Sequence, residues 1–252
     1  MSDSIHDPLF LGTAGWTIAR EHAALFPAEG SHLERYAQLF RAVEINVTFY
    51  RLPMARTFLR WAETVPPDFR FSVKLSRSIT HHTRLKDHGL LAPFLERVEL
   101  LGEKLGPILV QLPPNLAFDS GPVREFFREF RRQHDGAIVC EPRHLSWFAP
   151  EVELVWDEFR IARVAADPAR APQADQPGGW NGLVYYRLHG SPRVYYSSYD
   201  EGYLQELARQ LEEWRQLAPV WCIFDNTASG AAVGNGLTIQ QLTGAGRSQG
   251  DQ

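Results

Sequence analysis

Short runs of β-branched, aliphatic and aromatic residues alternate along the chain with longer stretches in which apolar residues recur every three or four positions. The short runs are typical of buried strands and the longer stretches of amphipathic helices, so the alternation predicts βα units around a parallel sheet. The predicted strands span residues 9–15, 43–50, 70–75, 107–112, 137–141, 161–166, 183–188 and 220–224. The predicted helices span residues 32–41, 55–64, 90–104, 123–132, 151–159 and 201–216.

Eight such strands in 252 residues favour a closed α/β fold, the (β/α)8 TIM-like barrel, over an open doubly wound sheet. An open nucleotide-binding sheet would carry a glycine fingerprint after its first strand, whereas Gly12 and Gly15 are followed here by the bulky Trp16. We predict a single barrel domain over residues 1–243 and a disordered tail over 244–252. Segment 167–182, rich in Pro, Ala and Gly, predicts an irregular connection between strands 6 and 7.

The overall charge argues against two classes of partner. The formal net charge is −4, so the surface as a whole does not attract nucleic acid or an anionic membrane, and any basic site has to be local. The chain begins without a basic segment followed by an apolar stretch, and no apolar run approaches the roughly 18 residues of a membrane span. These features predict a cytoplasmic protein with no membrane partner, and they leave the oligomeric state open.

Polar residues alternate along several predicted strands, and in a barrel both faces of a strand are covered, so these residues must point inward. On the second strand Glu44, Asn46, Thr48 and Tyr50 are predicted to share the inner face. Further polar residues lie at or just beyond the C-terminal ends of other strands, where barrel enzymes carry their catalytic groups. They are Lys74, His81, Gln111, Glu141, Arg143, Asp167, Arg187, His189, Asp225 and Asn226.

The leading hypothesis is an enzyme that acts on a small anionic or polar metabolite, phosphorylated or sugar-like, at the C-terminal mouth of the barrel. The predicted catalytic residues are Glu141, His189, Lys74 and Asp225, of which His189 and Glu141 would move protons. The predicted substrate-binding residues are Arg187, Arg143, Asn46, Tyr50, Gln111, Asn226 and His81. The pattern does not distinguish a hydrolase from a lyase or an isomerase.

Lys74 has two further interpretations. Desolvation inside a barrel lowers the pKa of a lysine and suits it to Schiff-base or general-base work, although the nearby Glu44 would oppose the loss of its charge. Alternatively Glu44, Lys74, Glu141 and Arg187 form internal ion pairs that only hold the barrel together. Both interpretations stay open at this point.

Two loops add to the predicted site. The glycine-rich turns 189–191 and 226–236 follow the last two strands, where barrels often bind phosphate with backbone N–H groups. Segment 76–88, which follows strand 3, concentrates cationic and titratable side chains and predicts either a lid over an anion or a solvated turn.

Other reaction classes use other residues of the mouth. Glu141, Asp167, His189 and Asp225 would ligate a divalent metal in a phosphodiesterase-type or nuclease-type barrel. Arg143 and Arg187 oppose a second cation there, so no cofactor is predicted and the metal is kept as an alternative. A retaining glycosidase is disfavoured, because no pair of carboxylates follows strands 4 and 7.

A non-catalytic protein that binds nucleic acid or a metabolite is the third hypothesis. Nucleic acid would stack on Tyr195, Tyr196 and Tyr199 and contact the basic residues Arg84 and Lys86. The net negative charge does not favour it.

A series of motifs runs in order along nearly the whole chain. They are Gly12-Thr-Ala-Gly15-Trp16, Glu44-Ile-Asn46-Val-Thr48-Phe49-Tyr50-Arg51-Leu-Pro53, Lys74 with Ile79-Thr80-His81, Leu105-Gly-Pro107-Ile-Leu-Val-Gln111-Leu-Pro113-Pro114, Glu141-Pro-Arg143-His144-Leu-Ser146-Trp147, Arg187-Leu-His189-Gly190 and Asp225-Asn226. Together they resemble the YecE-like family, domain of unknown function 72. The resemblance implies a TIM-like barrel in a bacterial cytoplasmic protein, and it implies no established activity, substrate or cofactor. Pro142 stands where the family pattern usually has Phe.

Overall fold

A computed structural model describes residues 8–245 and joins ten strands, mostly parallel, into one sheet. The strands are β1 (Leu9–Ala14), β2 (Ala42–Ile45), β3 (Arg70–Lys74), β4 (Leu105–Gln111), β5 (Ile138–Glu141), β6 (Ile161–Arg163), β7 (Ala165–Asp167), β8 (Gly178–Gly179), β9 (Val184–Leu188) and β10 (Val220–Phe224). Their order in the sheet is β7-β9-β10-β1-β2-β3-β4-β5-β6-β8.

Strands β6 and β7, separated only by Val164, together occupy one strand position of the barrel, called a stave below. β6 pairs with β5 and β7 pairs with β9, both in parallel, and the Val164 N–H donates to the Cys140 carbonyl at 2.8 Å. The sheet therefore closes on itself through this stave, while the short β8 lies antiparallel to β6 at its edge. The predicted TIM-like barrel is confirmed.

Eight α-helices lie between or after strands over residues 8–245. They are α1 (His32–Leu39), α2 (Val47–Tyr50), α3 (Ala55–Thr64), α4 (Leu91–Val98), α5 (Ser120–Gln133), α6 (Pro150–Glu158), α7 (Glu201–Trp214) and α8 (Ala231–Thr243). Three 3-10 segments cover Arg20–Leu25, Glu99–Lys104 and Leu145–Phe148, and a π-helical turn covers Ser78–His82. As the sequence predicts, no α-helix separates β7 from β9 in this part of the chain.

The structure corrects three local predictions. The helix predicted over 90–104 ends at Val98 and continues as a 3-10 segment containing Gly102, whose φ is +58°. The strand predicted over 43–50 ends at Ile45, and the chain turns into α2 because Asn46 takes a helical backbone conformation. The glycine-rich turn predicted over 226–236 is half helix, since α8 begins at Ala231.

The core has two layers. An outer cluster packs the helices against the sheet, and an inner cluster fills the lower half of the barrel with side chains such as Leu109, Val139, Tyr185 and Trp221. Above them the inward positions become polar, so charged groups occupy the upper half of a closed interior. Charges buried there must be paired, so the partners of each charged side chain bear on its role.

Tyr36 on α1 links β1 to β2 through hydrogen bonds. Its hydroxyl donates to the Ala42 carbonyl at 3.0 Å and accepts from the Thr13 N–H at 2.8 Å. Gly12 permits this approach, because a Cβ there would lie 2.0 Å from the Ala42 oxygen and 3.2 Å from the Tyr36 hydroxyl. The two strands therefore depend on one side chain from the outer layer.

Replacing Tyr36 by phenylalanine leaves the Thr13 N–H and the Ala42 carbonyl buried without that partner. We expect the free energy of unfolding to fall by about 1–3 kcal/mol, measured by urea denaturation. Tyr50→Phe is the matched control, because Tyr50 is 68% exposed and its hydroxyl has no hydrogen bond in the described structure. An equal loss of the free energy of unfolding in the two variants would contradict the role of Tyr36 in linking β1 to β2.

The predictions for the chain ends fall largely outside the described residues. Residues 1–7 lie outside them, as do residues 246–252 of the predicted disordered tail. The division into a domain over 1–243 and a tail stays a prediction. Among the described helices, none combines the length and the apolar character that a membrane crossing requires.

Candidate functional site

Arg187 is the hub of the polar upper half of the barrel. Near the end of β9, its side chain is 1% exposed and meets three carboxylates. Nε and Nη2 donate to Glu44, Nη1 donates to Glu141 at 3.0 Å, and Nη2 lies 2.9 Å from Asp225. Burial would lower the pKa of Arg187, but Asp225, Glu44 and Glu141 raise it well above its usual value.

Glu44 has a second set of partners beneath the hub. The Tyr185 hydroxyl lies 3.0 Å from Glu44 Oε2 and 2.9 Å from Ser72 Oγ, and all three side chains are completely buried. Burial, and then the Glu44 charge, raise the pKa of Tyr185 well above its ordinary value, so the phenol stays protonated. Glu44 therefore belongs to the internal ion-pair network that was one alternative from the sequence.

Glu141 ends β5 and connects the hub to the mouth. One carboxylate oxygen accepts from Arg187, and the other accepts from Arg143 Nε at 2.7 Å. Burial alone would raise the pKa of Glu141, but Arg143, His189 and Arg187 together lower it well below its usual range. Glu141 is therefore a carboxylate at neutral pH and is 1% exposed.

His189 lies directly after β9 and sits between two carboxylates. Its Nδ1 is 2.9 Å from Asp225 Oδ2, and its Nε2 is 3.3 Å from Glu141 Oε1. Burial raises the pKa of Asp225, but Arg187 and the hydrogen bond from His189 lower it overall. An imidazole placed in this way is oriented by one carboxylate and stabilised by both when it is protonated.

Lys74 ends β3 and differs from every other charged group of the interior. Its Nζ has neither a hydrogen bond nor an ion pair within residues 8–245, and it lies 4.2 Å from the centroid of the Phe49 ring. Burial and then the Arg187 charge lower its pKa to about 8, although Glu44, Glu141 and Asp225 act in the opposite direction. The prediction that Lys74 belongs to the structural ion pairs is wrong at the level of direct contacts.

His81 and Gln111 lie together at the mouth, where the charges of Lys74 and Arg143 act on His81. The Gln111 amide nitrogen lies 3.5 Å from His81 Nε2, and His81 Nδ1 lies 2.8 Å from the Thr80 hydroxyl. Burial, Lys74 and Arg143 lower the pKa of His81 to about 4, so the ring is neutral at pH 7. The mouth thus combines two cations with neutral hydrogen-bonding groups.

Segment 76–88 is packed onto the barrel. Ile79 and Leu85 are buried in the outer core, and the Thr83 hydroxyl donates to the Ile79 carbonyl at 3.1 Å. His81 is therefore presented to the mouth by a turn anchored on both sides, rather than by a solvated loop.

A narrow cleft lies beside Glu141 and His189, and the space within it that a water-sized sphere can occupy is about 10 Å³. Its lining includes Glu141, Arg143 and His189 from the mouth, and Arg170 and Tyr195 from the surrounding loops. Ligand pockets commonly measure ≈ 300–1,000 Å³, so the cleft marks a polar rim rather than an open pocket of that size. Sequence reasoning missed the part of Arg170, which lies in the irregular connection after β7.

Tyr50, a predicted substrate-binding residue, lies elsewhere than the sequence suggests. Tyr50 is 68% exposed on α2, so its predicted place on the inner face was wrong. Thr48 faces the backbone and donates to the carbonyls of Ile45 and Lys74. Asn46 lies at the end of β2, where its buried side-chain oxygen has no hydrogen-bond partner in the described structure.

The structure does not assemble the four predicted metal ligands. Asp167 lies on the opposite face of its stave from the inward Ala166, and its carboxylate accepts from the Tyr199 hydroxyl at 2.7 Å. Within residues 8–245 no group of three or more His, Cys, Asp or Glu side chains is arranged to hold a metal ion. Tyr199 is buried by this contact, so its predicted stacking on a base was also wrong.

Asn226 is completely buried beside the last two loops. Its amide donates to the Ser197 carbonyl at 2.9 Å and to Asn235 at 2.8 Å, while its side-chain oxygen lacks a partner within residues 8–245. These bonds tie the loop after β9 to α8. The side chain is thus engaged in loop packing, and its predicted contact with substrate stays a prediction.

Phe49 and Tyr185 also support the site, and sequence reasoning missed both. Tyr185 could have been found, because it precedes Arg187 by two positions on the same strand and must share its face. Phe49 could not, because it reaches Lys74 only after the chain turns from β2 into α2.

Comparisons with known proteins agree with the motifs. The family model described as "Protein of unknown function DUF72" matches residues 10–251. UPF0759 protein YunF of Bacillus subtilis strain 168 is 25% identical over 279 residues, covering 93% of this chain and 94% of that protein. UPF0759 protein YecE of Escherichia coli strain K12 is 40% identical over 82 residues, which are 32% of this chain and 30% of that protein.

Two solved structures share the fold. A DUF72 family protein from Enterococcus faecalis V583 matches with a TM-score of 0.79 at 24% identity, over 94% of this chain and 95% of that chain. A DUF72 family protein from Thermotoga maritima MSB8 matches with a TM-score of 0.75 at 25% identity, over 93% and 98%.

Proposed function

Since the chain belongs to the DUF72 family, proteins of unknown function, we propose its function from the mouth of the barrel alone: it is an enzyme that acts on a small anionic metabolite. The observation that carries this proposal is the pair of cationic side chains, Lys74 and Arg143, that keep donors without a partner at the mouth. Arg143 also lines the cleft beside Glu141 and His189.

The two cations have capacity for an anion. Arg143 uses Nε and Nη2 on Glu141, while its Nη1 has no hydrogen bond within residues 8–245. Lys74 Nζ has no hydrogen bond or ion pair in the same part of the chain. A guanidinium and an ammonium suit carboxylate or phosphate oxygens, and the low dielectric of a partly closed mouth strengthens such contacts.

Arg187 has a different role from the one that its charge suggests. Its guanidinium is enclosed by Glu44, Glu141 and Asp225, so no donor group is left to face the cleft. It positions the carboxylates that in turn hold His189 and Arg143. The sequence-based role of Arg187 as an anion-binding residue is therefore replaced by a positioning role.

His189 is the group that moves a proton. With its Nδ1–H donated to Asp225, its Nε2 accepts a proton from substrate in the cleft, and the imidazolium so formed lies between Asp225 and Glu141. Because Glu141 is already ionised, it stabilises that positive charge instead of supplying a proton itself. This arrangement suits abstraction of a proton from an acidic carbon or hydroxyl of a bound anion.

Replacing Arg143 by glutamine tests the anion site. We expect inorganic phosphate and small phosphorylated or carboxylated metabolites to raise the melting temperature of the wild-type protein. The apparent affinity for these anions, read from the concentration dependence of the shift, should be at least tenfold lower in Arg143→Gln. The affinity of wild type should also weaken by up to about tenfold between pH 7 and pH 9, because Lys74, with a pKa of about 8, loses its charge over that range.

Arg209→Gln is the matched control for the loss of a positive charge. Arg209 lies exposed on α7 and, within residues 8–245, forms ion pairs only with Glu206 and Glu213, so we expect Arg209→Gln to leave the ligand-induced shift unchanged. The proposal fails if no anion stabilises the wild-type protein at millimolar concentration, or if the shift survives undiminished in Arg143→Gln.

A further inference from the structure

The chain uses lysine sparingly, which makes the lysine in the barrel notable. Of its 26 Lys and Arg residues only three are lysines, Lys74, Lys86 and Lys104. Lys86 is exposed in the turn after β3, and Lys104 donates to the carbonyls of Ala62 and Val65. Lys74 is the only one of the three that lies in the barrel interior without a hydrogen bond in the described structure.

Arginine and lysine differ in the one property that matters at this place. An arginine stays charged and is not a nucleophile, whereas a desolvated lysine amine can lose its proton and attack a carbonyl carbon. A site that needed only a fixed positive charge would be served by the residue this chain uses everywhere else at its mouth, as Arg143 and Arg170 show. The unpaired amine of Lys74 therefore points to chemistry beyond holding a charge.

We propose that Lys74 Nζ forms a Schiff base with the substrate, whose class is then a small aldehyde or ketone that carries a carboxylate or phosphate group. This inference rests on the proposed anion site and names its substrate. Arg143 holds the anionic group, and the carbonyl carbon lies against Lys74. The geometry that supports it is a buried amine, 4.2 Å from the centroid of the Phe49 ring, with no hydrogen bond or ion pair within residues 8–245.

The charge balance of the interior favours a reactive amine. Burial and Arg187 outweigh the three nearby carboxylates and lower the pKa of Lys74 from 10.5 to about 8. At pH 7 this shift raises the neutral, nucleophilic fraction by roughly 300-fold over that of an ordinary lysine. Asp225, Glu141 and Glu44 still stabilise a positive charge on the nitrogen, so the protonated Schiff base is not disfavoured once it forms.

The chemical step balances without any additional reactant. The neutral amine attacks the carbonyl carbon, a C–N bond forms as the C=O π bond opens, and one proton passes from the nitrogen to the oxygen to give a neutral carbinolamine. A second proton delivered to that hydroxyl releases water and leaves the iminium, C=N⁺H, on Lys74. His189, poised between Asp225 and Glu141, is the proton carrier at the mouth, and the iminium then acidifies the neighbouring C–H bond for the abstraction proposed above.

Reductive trapping tests the inference on the intact protein. Wild-type protein is incubated with pyruvate or dihydroxyacetone phosphate and reduced with sodium borohydride, and the adduct is located by intact-mass and peptide mass spectrometry. We expect one adduct per chain on the peptide that contains Lys74, with at least tenfold less labelling by the uncharged dihydroxyacetone. Mapping in the wild-type protein makes the result independent of how well any variant folds.

Lys74→Arg and Lys86→Arg form the matched pair of variants. Labelling should disappear in Lys74→Arg and persist in Lys86→Arg. Adducts spread over Lys86, Lys104 and the N-terminal amine, or absence of a Lys74 adduct with both anionic probes, overturns the inference. If those same anions still stabilise the protein through Arg143, the Schiff base alone is refuted, whereas a failure of every anion to stabilise it refutes the proposed function as well.

Discussion

Arg187→Met should lower the free energy of unfolding by about 3–5 kcal/mol, the largest stability loss that the structure leads us to expect from a single change. The substitution removes the guanidinium that contacts Glu44, Glu141 and Asp225 together, and it leaves their charges buried in the barrel. Urea denaturation at pH 7 measures the loss. A loss of less than about 1 kcal/mol would contradict the claim that Arg187 is the cation that stabilises these three buried carboxylates.

The stability of Arg187→Met should depend on pH with the opposite sign to the stability of the wild-type protein. In wild type the pKa values of Glu141 and Asp225 are lowered on folding, so their contribution to stability is present above their unfolded values and is lost as the pH falls below about 4. Without Arg187 these carboxyls should bind protons more readily in the folded state, so the variant should gain stability as the pH falls from 7 towards 5. Arg209→Met, which removes exposed pairs only, is the control and should change stability by less than about 1 kcal/mol.

Lys74→Met should have the reverse effect: the protein becomes more stable, by about 1–3 kcal/mol at pH 7, while it loses its affinity for anions. The pKa of Lys74 is lower in the folded protein than in the unfolded chain, so the folded state disfavours the charged amine at pH 7. Methionine keeps most of the side-chain volume and carries no charge to desolvate. A gain in stability coupled to a loss of binding is typical of a residue kept for function.

The lowered pKa of Lys74 also determines the pH range in which wild type and Lys74→Met differ in stability. Between about pH 8 and pH 10.5 the unfolded chain binds a proton at Lys74 that the folded protein does not, so this group makes wild type more stable as the pH rises through that range. The advantage of Lys74→Met should therefore shrink towards pH 10. Lys86→Met on the exposed turn is the control and should show neither effect; a destabilised Lys74→Met would mean that Lys74 is a structural cation after all.

The barrel itself was predictable from the sequence because its signal is local. Strands buried on both faces appear as short apolar runs, and each of the eight predicted runs overlaps a strand of the structure. The irregular connection after β7 was equally visible in its Pro, Ala and Gly content. Elements that depend on distant contacts were not: α8 contains Gly234 and Gly236, and Gly236 is needed because a Cβ there would lie 2.8 Å from the Phe40 ring.

The members of the site were more predictable than their roles. Alternation along β2, β3, β5 and β9 correctly places Glu44, Lys74, Glu141 and Arg187 on the inner face, since side chains in a strand alternate with a period of two. The same rule excludes Asp167, whose neighbour Ala166 faces inward. What the sequence could not show is how many carboxylates meet Arg187, because they come from three other strands or strand ends and converge only in the folded barrel.

Asn46 and Tyr50 show the limit of reasoning by alternation. Glu44, Asn46 and Thr48 look like one face of a strand, yet the chain leaves the sheet at Ile45. The turn is held by the Thr48 hydroxyl, which donates to the carbonyls of Ile45 and Lys74. That choice between a strand and a helical turn depends on a neighbouring strand, so it cannot be read from these residues alone.

The central claim is that Lys74 is an unpaired amine of lowered pKa at an anion-binding mouth, and an NMR titration of protein labelled with [13Cε]-lysine tests it most directly. With three lysines in the chain the signals are resolvable and can be assigned with Lys74→Arg and Lys86→Arg. We expect one signal, that of Lys74, to titrate with a pKa of about 8 and to shift when pyruvate or phosphate is added. Three lysines that all titrate above pH 10, with no response of Lys74 to either anion, would contradict the claim.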